Sequence, residues 1–147
     1  MSSDEETFRR LAVELRILEG TADALQSRVS LVSAALTELR VASMTLEGLE
    51  KEKTDASLFV PIGGGSYIEA HLGSEDKVIV GIGAGVAIEK TIKEAKDNVS
   101  GRIADLEKTR LTLEQQLRQV IGKIEDNRVQ LQELSGKLSE REKATGV

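Results

Sequence analysis

Apolar residues along the first third of the chain recur in alternating steps of three and four. From Phe8 they visit Leu11, Leu15, Leu18, Ala22, Leu25, Val29, Val32, Leu36, Leu39, Ser43 and Leu46, and only Ser43 is polar. This spacing keeps one stripe of an α-helix apolar and is the seam of a coiled coil. A second seam runs through Ile92, Val99, Ile103, Leu106, Leu113, Leu117, Val120, Ile124, Leu131, Leu134 and Leu138, with Lys96, Arg110 and Asn127 as polar members. Polar side chains in a seam favour one register over its alternatives. Ser3 with Glu6, and Thr91 with Glu94, have the form of capping boxes and mark the two helix starts. Two long seams joined by a short insert bury each other best as an antiparallel pair. Setting Leu46 level with Ile92 places Phe8 near Gln130 and leaves about fifteen residues of the second helix uncovered.

Between the seams the period drops to two. Leu58, Val60 and Ile62 alternate with Phe59 and Pro61, while Ile68, Ala70 and Leu72 alternate with Tyr67, Glu69 and His71. Val78, Val80 and Ile82 repeat the pattern. Gly63-Gly64-Gly65, Gly73-Ser74-Glu75-Asp76 and Gly83-Ala84-Gly85 punctuate these runs as tight turns, which predicts two β-hairpins in series. A lone hairpin is marginally stable in water and leaves its strand edges open, so another chain is needed to complete the ladder. Leu58, Val60, Ile62, Ile68, Val78, Val80 and Ile82 are the residues expected to drive oligomerisation. The expected fold is α+β and one domain overall, with a helix over 1–53, a double hairpin over 54–90 and a second helix over 91–147.

Composition narrows the possible functions. A chain of 147 residues with 31% charged and only 2% aromatic residues describes extended coiled coil better than a layered globular core. A net charge of -5, no basic run and only Phe8, Phe59 and Tyr67 as aromatics argue against nucleic acid as a partner. The absence of cysteine removes disulfides, thiolate metal sites and thiol nucleophiles, and fits a reducing, cytoplasmic location. The acidic start lacks the apolar core of a signal peptide, and no apolar run approaches the ~18–20 residues of a membrane span, so no membrane is expected as a partner.

The run from Val78 to Val86 looks at first like a strand entering a dinucleotide-binding glycine loop. Val86 occupies the place of the third small residue, and a coiled coil follows in place of a βαβ unit. Gly63-Gly64-Gly65 has no following Gly-Lys-Ser or Gly-Lys-Thr to hold a phosphate. His71 is the only histidine and lacks companions for a metal site or a catalytic base. No catalytic, cofactor or metal residue is assigned, no cofactor is expected, and the chain is not expected to be an enzyme.

The order of elements is a coiled-coil helix, then FVPIGGGSYIEAHL, then KVIVGIGAGVAIEKT, then a second coiled-coil helix. This order resembles the archaeal prefoldin alpha-subunit family, most specifically between Leu58 and Thr91, and two hairpins in place of one are the mark of the alpha type. The resemblance implies a hexamer of two alpha and four beta subunits, with the hairpins assembled into a double β-barrel platform. It also implies an ATP-independent holding chaperone that captures unfolded polypeptides at the helix ends and passes them to a group II chaperonin. Mapped by position, the client contacts fall on Phe8, Leu11, Leu15, Leu131, Leu134 and Leu138. The competing readings are a structural coiled-coil adaptor or spacer without client-holding activity, and a nucleotide-using enzyme. A spacer has no use for two open-edged hairpins, and an enzyme needs converging polar groups that the chain lacks.

Overall fold

The computed structural model describes residues 2–73 and 76–146. Helix α1 (Ser3–Lys51) is followed by strands β1 (Ser57–Gly63), β2 (Ser66–His71), β3 (Lys77–Gly83) and β4 (Val86–Thr91), and then by helix α2 (Ile92–Thr145). Ser74 and Glu75, expected in the turn between the hairpins, lie outside the described residues. Both helices open on a hydroxyl cap. The Thr91 Oγ1 accepts the Glu94 N–H at 3.1 Å, as its capping box predicts. At α1 the cap lies one residue earlier than expected: Ser2 Oγ accepts the Glu5 N–H at 3.2 Å. Ser2 with Glu5 has the same spacing as Ser3 with Glu6, so the sequence alone does not separate them.

The chain forms two compact units, one of Met1–Ala34 with Glu107–Val147 and one of Ala35–Leu106. In the first unit, Leu11, Leu25 and Ile124 are buried along the facing seams of α1 and α2, together with Asn127. In the second, Leu39, Leu46, Ala95 and Val99 form a buried cluster against which Ile92, Ile103 and Leu106 pack, and Leu36 is fully buried at 0% exposure. Every seam position read from the sequence is buried or half-buried. One turn differs in detail. Ala95, with 1% of its surface exposed, fills the position assigned to Lys96, and the lysine lies beside it with its stem half-buried. A step of three from Ile92 reaches Ala95 and a step of four reaches Lys96, and only the alanine fits between close helices.

The antiparallel register corrects the expected overhang. In the second unit Lys96 Nζ lies 2.8 Å from Glu50 Oε2. In the first, Arg128 reaches Glu19 at 3.0 Å and Arg141 reaches Asp4 at 2.9 Å. Phe8 is therefore about level with Leu138 by equal rise, not with Gln130, and α2 extends only about one turn past Asp4. The two seams do not begin level. Helix α1 continues past Leu46 to Lys51, and Glu50 stands opposite the first turns of α2.

Helix α1 also departs from the expectation about membranes: it is long and apolar enough, by length and composition, to pass for a membrane span. The cause is a second population of apolar residues away from the seam, since Val13, Ile17, Leu31, Val41 and Met44 are all exposed. The same helix buries its seam against α2, as a coiled-coil strand does.

Of the polar seam positions, Arg110 pairs along its own helix with Glu114 at 3.9 Å. Asn127 is buried at 4% exposure, and its Oδ1 has no hydrogen-bond partner. An unpaired buried amide costs about 1–3 kcal/mol, the usual penalty of a seam asparagine that enforces register. Asn127→Leu should therefore raise stability by about 1–2 kcal/mol in urea unfolding, and an unchanged or lower midpoint would show that the amide is satisfied or that the site cannot hold leucine.

The hydrogen bond from Lys96 to Glu50 holds the lysine above its usual pKa of 10.5, so the folded chain binds this proton more tightly than the unfolded chain. The resulting stabilisation is fully present below 10.5 and is lost as pH rises through the raised value. The stability difference between wild type and Lys96→Met should be constant from about pH 6 to about pH 9 and shrink at more alkaline pH. A difference that grows with alkalinity would contradict the pairing.

Candidate functional site

The candidate functional site is the pair of hairpins. Strand β1 pairs antiparallel with β2 and β3 with β4, as two separate two-stranded sheets. Each hairpin closes on two residues with positive φ, Gly64 (59°) with Gly65 (76°) and Ala84 (51°) with Gly85 (75°). Positive φ at both central residues is the signature of the type I′ turn, whose twist matches that of the flanking strands. The register slips by one residue before each turn, between Pro61 and Gly63 and between Gly81 and Gly83. Ile62 and Ile82 are thereby left without a cross-strand counterpart.

The two hairpins are an internal repeat at an offset of twenty residues. The pair Val60–Ile68 recurs as Val80–Ile88, Phe59–Glu69 as Ile79–Glu89, and Gly63–Ser66 as Gly83–Val86. Polar contacts repeat with them. The Ser57 hydroxyl donates to Glu69 Oε1 at 2.9 Å, and the equivalent Lys77 lies 3.9 Å from Glu89. At the base of the first hairpin, the Asp55 N–H donates to the Leu72 carbonyl and the Leu72 N–H to the Ala56 carbonyl. His71 Nδ1 lies 3.2 Å from the Asp55 carbonyl oxygen, where only the imidazole can donate. His71 thus ties down the strand base, and Asp55 accepts a left-handed φ of 68° to meet it.

Cross-strand pairs define two faces on each sheet. One carries Leu58, Val60, Ile68 and Ala70 in the first hairpin and Val78, Val80, Ile88 and Lys90 in the second. Val78 and Val80 are half-buried against the helical cluster of Leu39, Leu46, Ala95 and Val99, so hairpin two is seated on its own helices. The opposite face carries Phe59, Pro61 and Tyr67 in the first hairpin and Ile79, Gly81 and Ala87 in the second. Phe59 (70%), Tyr67 (63%) and Ile79 (76%) are largely exposed.

Of the residues expected to drive oligomerisation, Val60, Ile62, Ile68 and Ile82 are exposed, while Leu58, Val78 and Val80 are half-buried. Phe59, Tyr67, Ile79, Val86 and Ile88 are further exposed apolar residues of the hairpins. Phe59, Tyr67 and Ile79 lie on the face that also carries Ser57, Glu69 and Glu89, whereas Ile88 shares the face of Val78 and Val80.

The residues mapped to client contact lie on the other unit. Leu11 is buried, and Phe8, Leu15, Leu131, Leu134 and Leu138 are half-buried along the seam. A cleft of about 740 Å³ lies where the end of α1 meets the second hairpin, lined in part by Glu50, Lys53, Leu72, Lys77 and Ile92. Among the described residues no group of three or more His, Cys, Asp or Glu side chains is placed to hold a metal.

A family model described as Prefoldin subunit matches residues 18–137, which take in both hairpins and most of both helices. Relatives include a prefoldin subunit alpha of Methanobrevibacter smithii, 32% identical over 130 residues that make up 86% of this chain and 88% of that protein. A prefoldin subunit alpha of Methanopyrus kandleri is 33% identical over 113 residues, 77% of this chain and 72% of that protein. Among solved structures, a chain of the filamentous PFD of Methanocaldococcus jannaschii, determined by cryo-EM, matches with a TM-score of 0.66 at 28% identity, over 76% of this chain and 92% of that one.

The two-residue loops, Gly64-Gly65 and Ala84-Gly85, differ at their first position. Gly64 and Ala84 occupy equivalent places with left-handed φ, which costs an alanine about 1–2 kcal/mol, partly offset by the lower unfolded-state entropy of alanine. Ala84→Gly should stabilise the chain by about 0.5–1 kcal/mol and Gly64→Ala should destabilise it by a similar amount. Thermal melts showing both substitutions neutral would mean that the turns are remodelled.

Proposed function

The chain belongs to the prefoldin family, and from that premise we propose that it is the alpha subunit of a complex of two such chains with four single-hairpin beta subunits. It serves there as an ATP-independent holding chaperone in the cytoplasm. The observation that carries this reading is the pair of open-edged hairpins with apolar residues exposed on both faces. Two strands cannot close a sheet, and among the described residues no other element pairs with these edges. Strands from other subunits complete the ladders, with Leu58, Val60, Ile62, Ile68 and Ile82 in the interface and Val78 and Val80 shared with the chain's own helices.

Client binding follows at the opposite ends of the helices. Phe8, Leu11, Leu15, Leu131, Leu134 and Leu138 lie buried or half-buried in the paired seam and engage an unfolded polypeptide when the helix ends open. Burying one such side chain is worth about 1.5–3 kcal/mol before ordering costs, so capture needs several arms acting at once. Many weak contacts hold a chain without trapping it, which suits handover to a group II chaperonin.

Mixing the chain with a prefoldin beta subunit should give a complex with the mass of two alpha and four beta chains by light scattering. That complex should suppress aggregation of an unfolded client equally well with and without ATP. Replacing residues 57–91 by a flexible linker should abolish the complex while leaving the helices paired. Full-size assembly without the hairpins refutes the platform, and an intact complex that fails to hold clients leaves a structural adaptor as the correct reading.

A further inference from the structure

Helix α1 carries a second heptad line outside the face it buries against α2. From Val13, alternating steps of four and three visit Ile17, Gly20, Ala24, Ser27 and Leu31, and all six are exposed. The line holds no charge until Arg10 before it and Glu38 after it. Apolar or small residues in this spacing have the form of a coiled-coil seam. Helix α2 has no counterpart, since its exposed Leu111, Ile121 and Val129 take three different heptad positions.

The charges bordering this line are spaced for a partner helix. Arg9, Arg16 and Asp23 run along one border, and Glu14, Thr21 and Arg28 along the other. In a parallel, in-register pair, each residue of the first border faces the next-turn residue on the second border of its neighbour. Arg9 then meets Glu14 of the second copy and Asp23 meets Arg28, each twice by symmetry, while Arg16 meets the neutral Thr21. No like charges face each other. A slip of one heptad sets Arg16 against Arg28 and Arg10 against Ile17. Among the described residues, none of Arg9, Glu14, Asp23 and Arg28 has an ion-pair partner in its own chain, whereas Glu19, nearer α2, meets Arg128.

We propose that α1 of one chain packs along this second seam against α1 of a second copy, parallel and in register. The occupant is a second copy because the two borders of the seam are complementary to each other, and an unfolded polypeptide offers no fixed charges to match them. Such a contact is self-complementary about a two-fold axis. Gly20, Ala24 and Ser27 let the helices approach closely but bury little apolar surface, so the contact is weak and forms between copies already held together. The inference rests on the oligomeric reading above, which brings two copies into one complex, and it concerns their helices and not their hairpins.

The chain has no cysteine, and Ser27→Cys exchanges a single atom on the seam. Assembled with cysteine-free beta subunits and mildly oxidised, this variant should give a disulfide-linked dimer of the chain, because each Ser27 faces its own counterpart. Gln26→Cys, exposed on the adjoining helix face, should give little. Equal yields from the two variants overturn the proposal. So does a complex of full mass in which Ser27→Cys forms no dimer, the result expected if the seam is bare or is covered by a beta subunit or a client. A wild-type chain that forms no complex overturns the oligomeric reading itself, which separates the two failures.

Charge reversal in the Ser27→Cys background provides a second readout. Arg28→Glu places a carboxylate opposite Asp23 in both symmetry-related pairs, and should lower the effective concentration of the two thiols, measured by exchange with glutathione, about tenfold. The double change Asp23→Arg/Arg28→Glu restores opposite charges and should recover most of the loss. An Arg28→Glu variant that links as readily as its parent overturns the proposal, as does a double variant no better than the single.

Discussion

Each strand of a two-stranded sheet directs half of its backbone donors and acceptors toward its partner and the other half away from it. Leaving those outer groups buried and unpaired would cost about 1–3 kcal/mol apiece, so the hairpins cannot hide their apolar faces by collapsing onto helices alone. Further strands satisfy the edges, and a sheet extended far enough to close on itself also buries one face. The second hairpin goes as far as one chain allows by seating Val78 and Val80 on the helical cluster, and its edges remain open. The quaternary structure of this family is in that sense written into the backbone of a single subunit.

The helices face a different problem, since two apolar seams can slide past one another in steps of a turn. Exposed ion pairs such as Arg128 with Glu19 contribute at most about 1 kcal/mol each and do not fix the register by themselves. The uneven seam does more. Ala95 admits a close approach beside Leu46 and Val99, and Asn127 places a group that is costly to bury at one level only. Stability is given up at that asparagine, and a single alignment is obtained.

Much of this was legible in the sequence, for reasons particular to each element. The seams from Phe8 to Leu46 and from Ile92 to Leu138 could be read because coiled-coil burial depends only on local spacing. The hairpins could be read because Gly63, Gly65, Gly83 and Gly85 adopt backbone angles that other residues resist. Register was not legible, because the level at which Glu50 meets Lys96 depends on how the intervening segment folds back. The exposure of Phe59 and Tyr67 follows from their alternation with Leu58, Val60, Ile68 and Ala70. Alternation of apolar and polar residues identifies a sheet with one wet face.

The twenty-residue repeat changes how many connections a subunit can make. In the language of polymers, a subunit with one hairpin is monofunctional: it ends whatever it joins. A subunit with two is bifunctional, and bifunctional units can extend. The stoichiometry of capping to linking units then sets the size at which growth stops, much as chain stoppers set the length of a condensation polymer. In the proposed complex four caps occupy all four hairpins of two linkers, so growth stops there, and contacts other than the hairpin edges join the two capped linkers into one particle. Duplicating one short hairpin is enough to turn an end group into a linker.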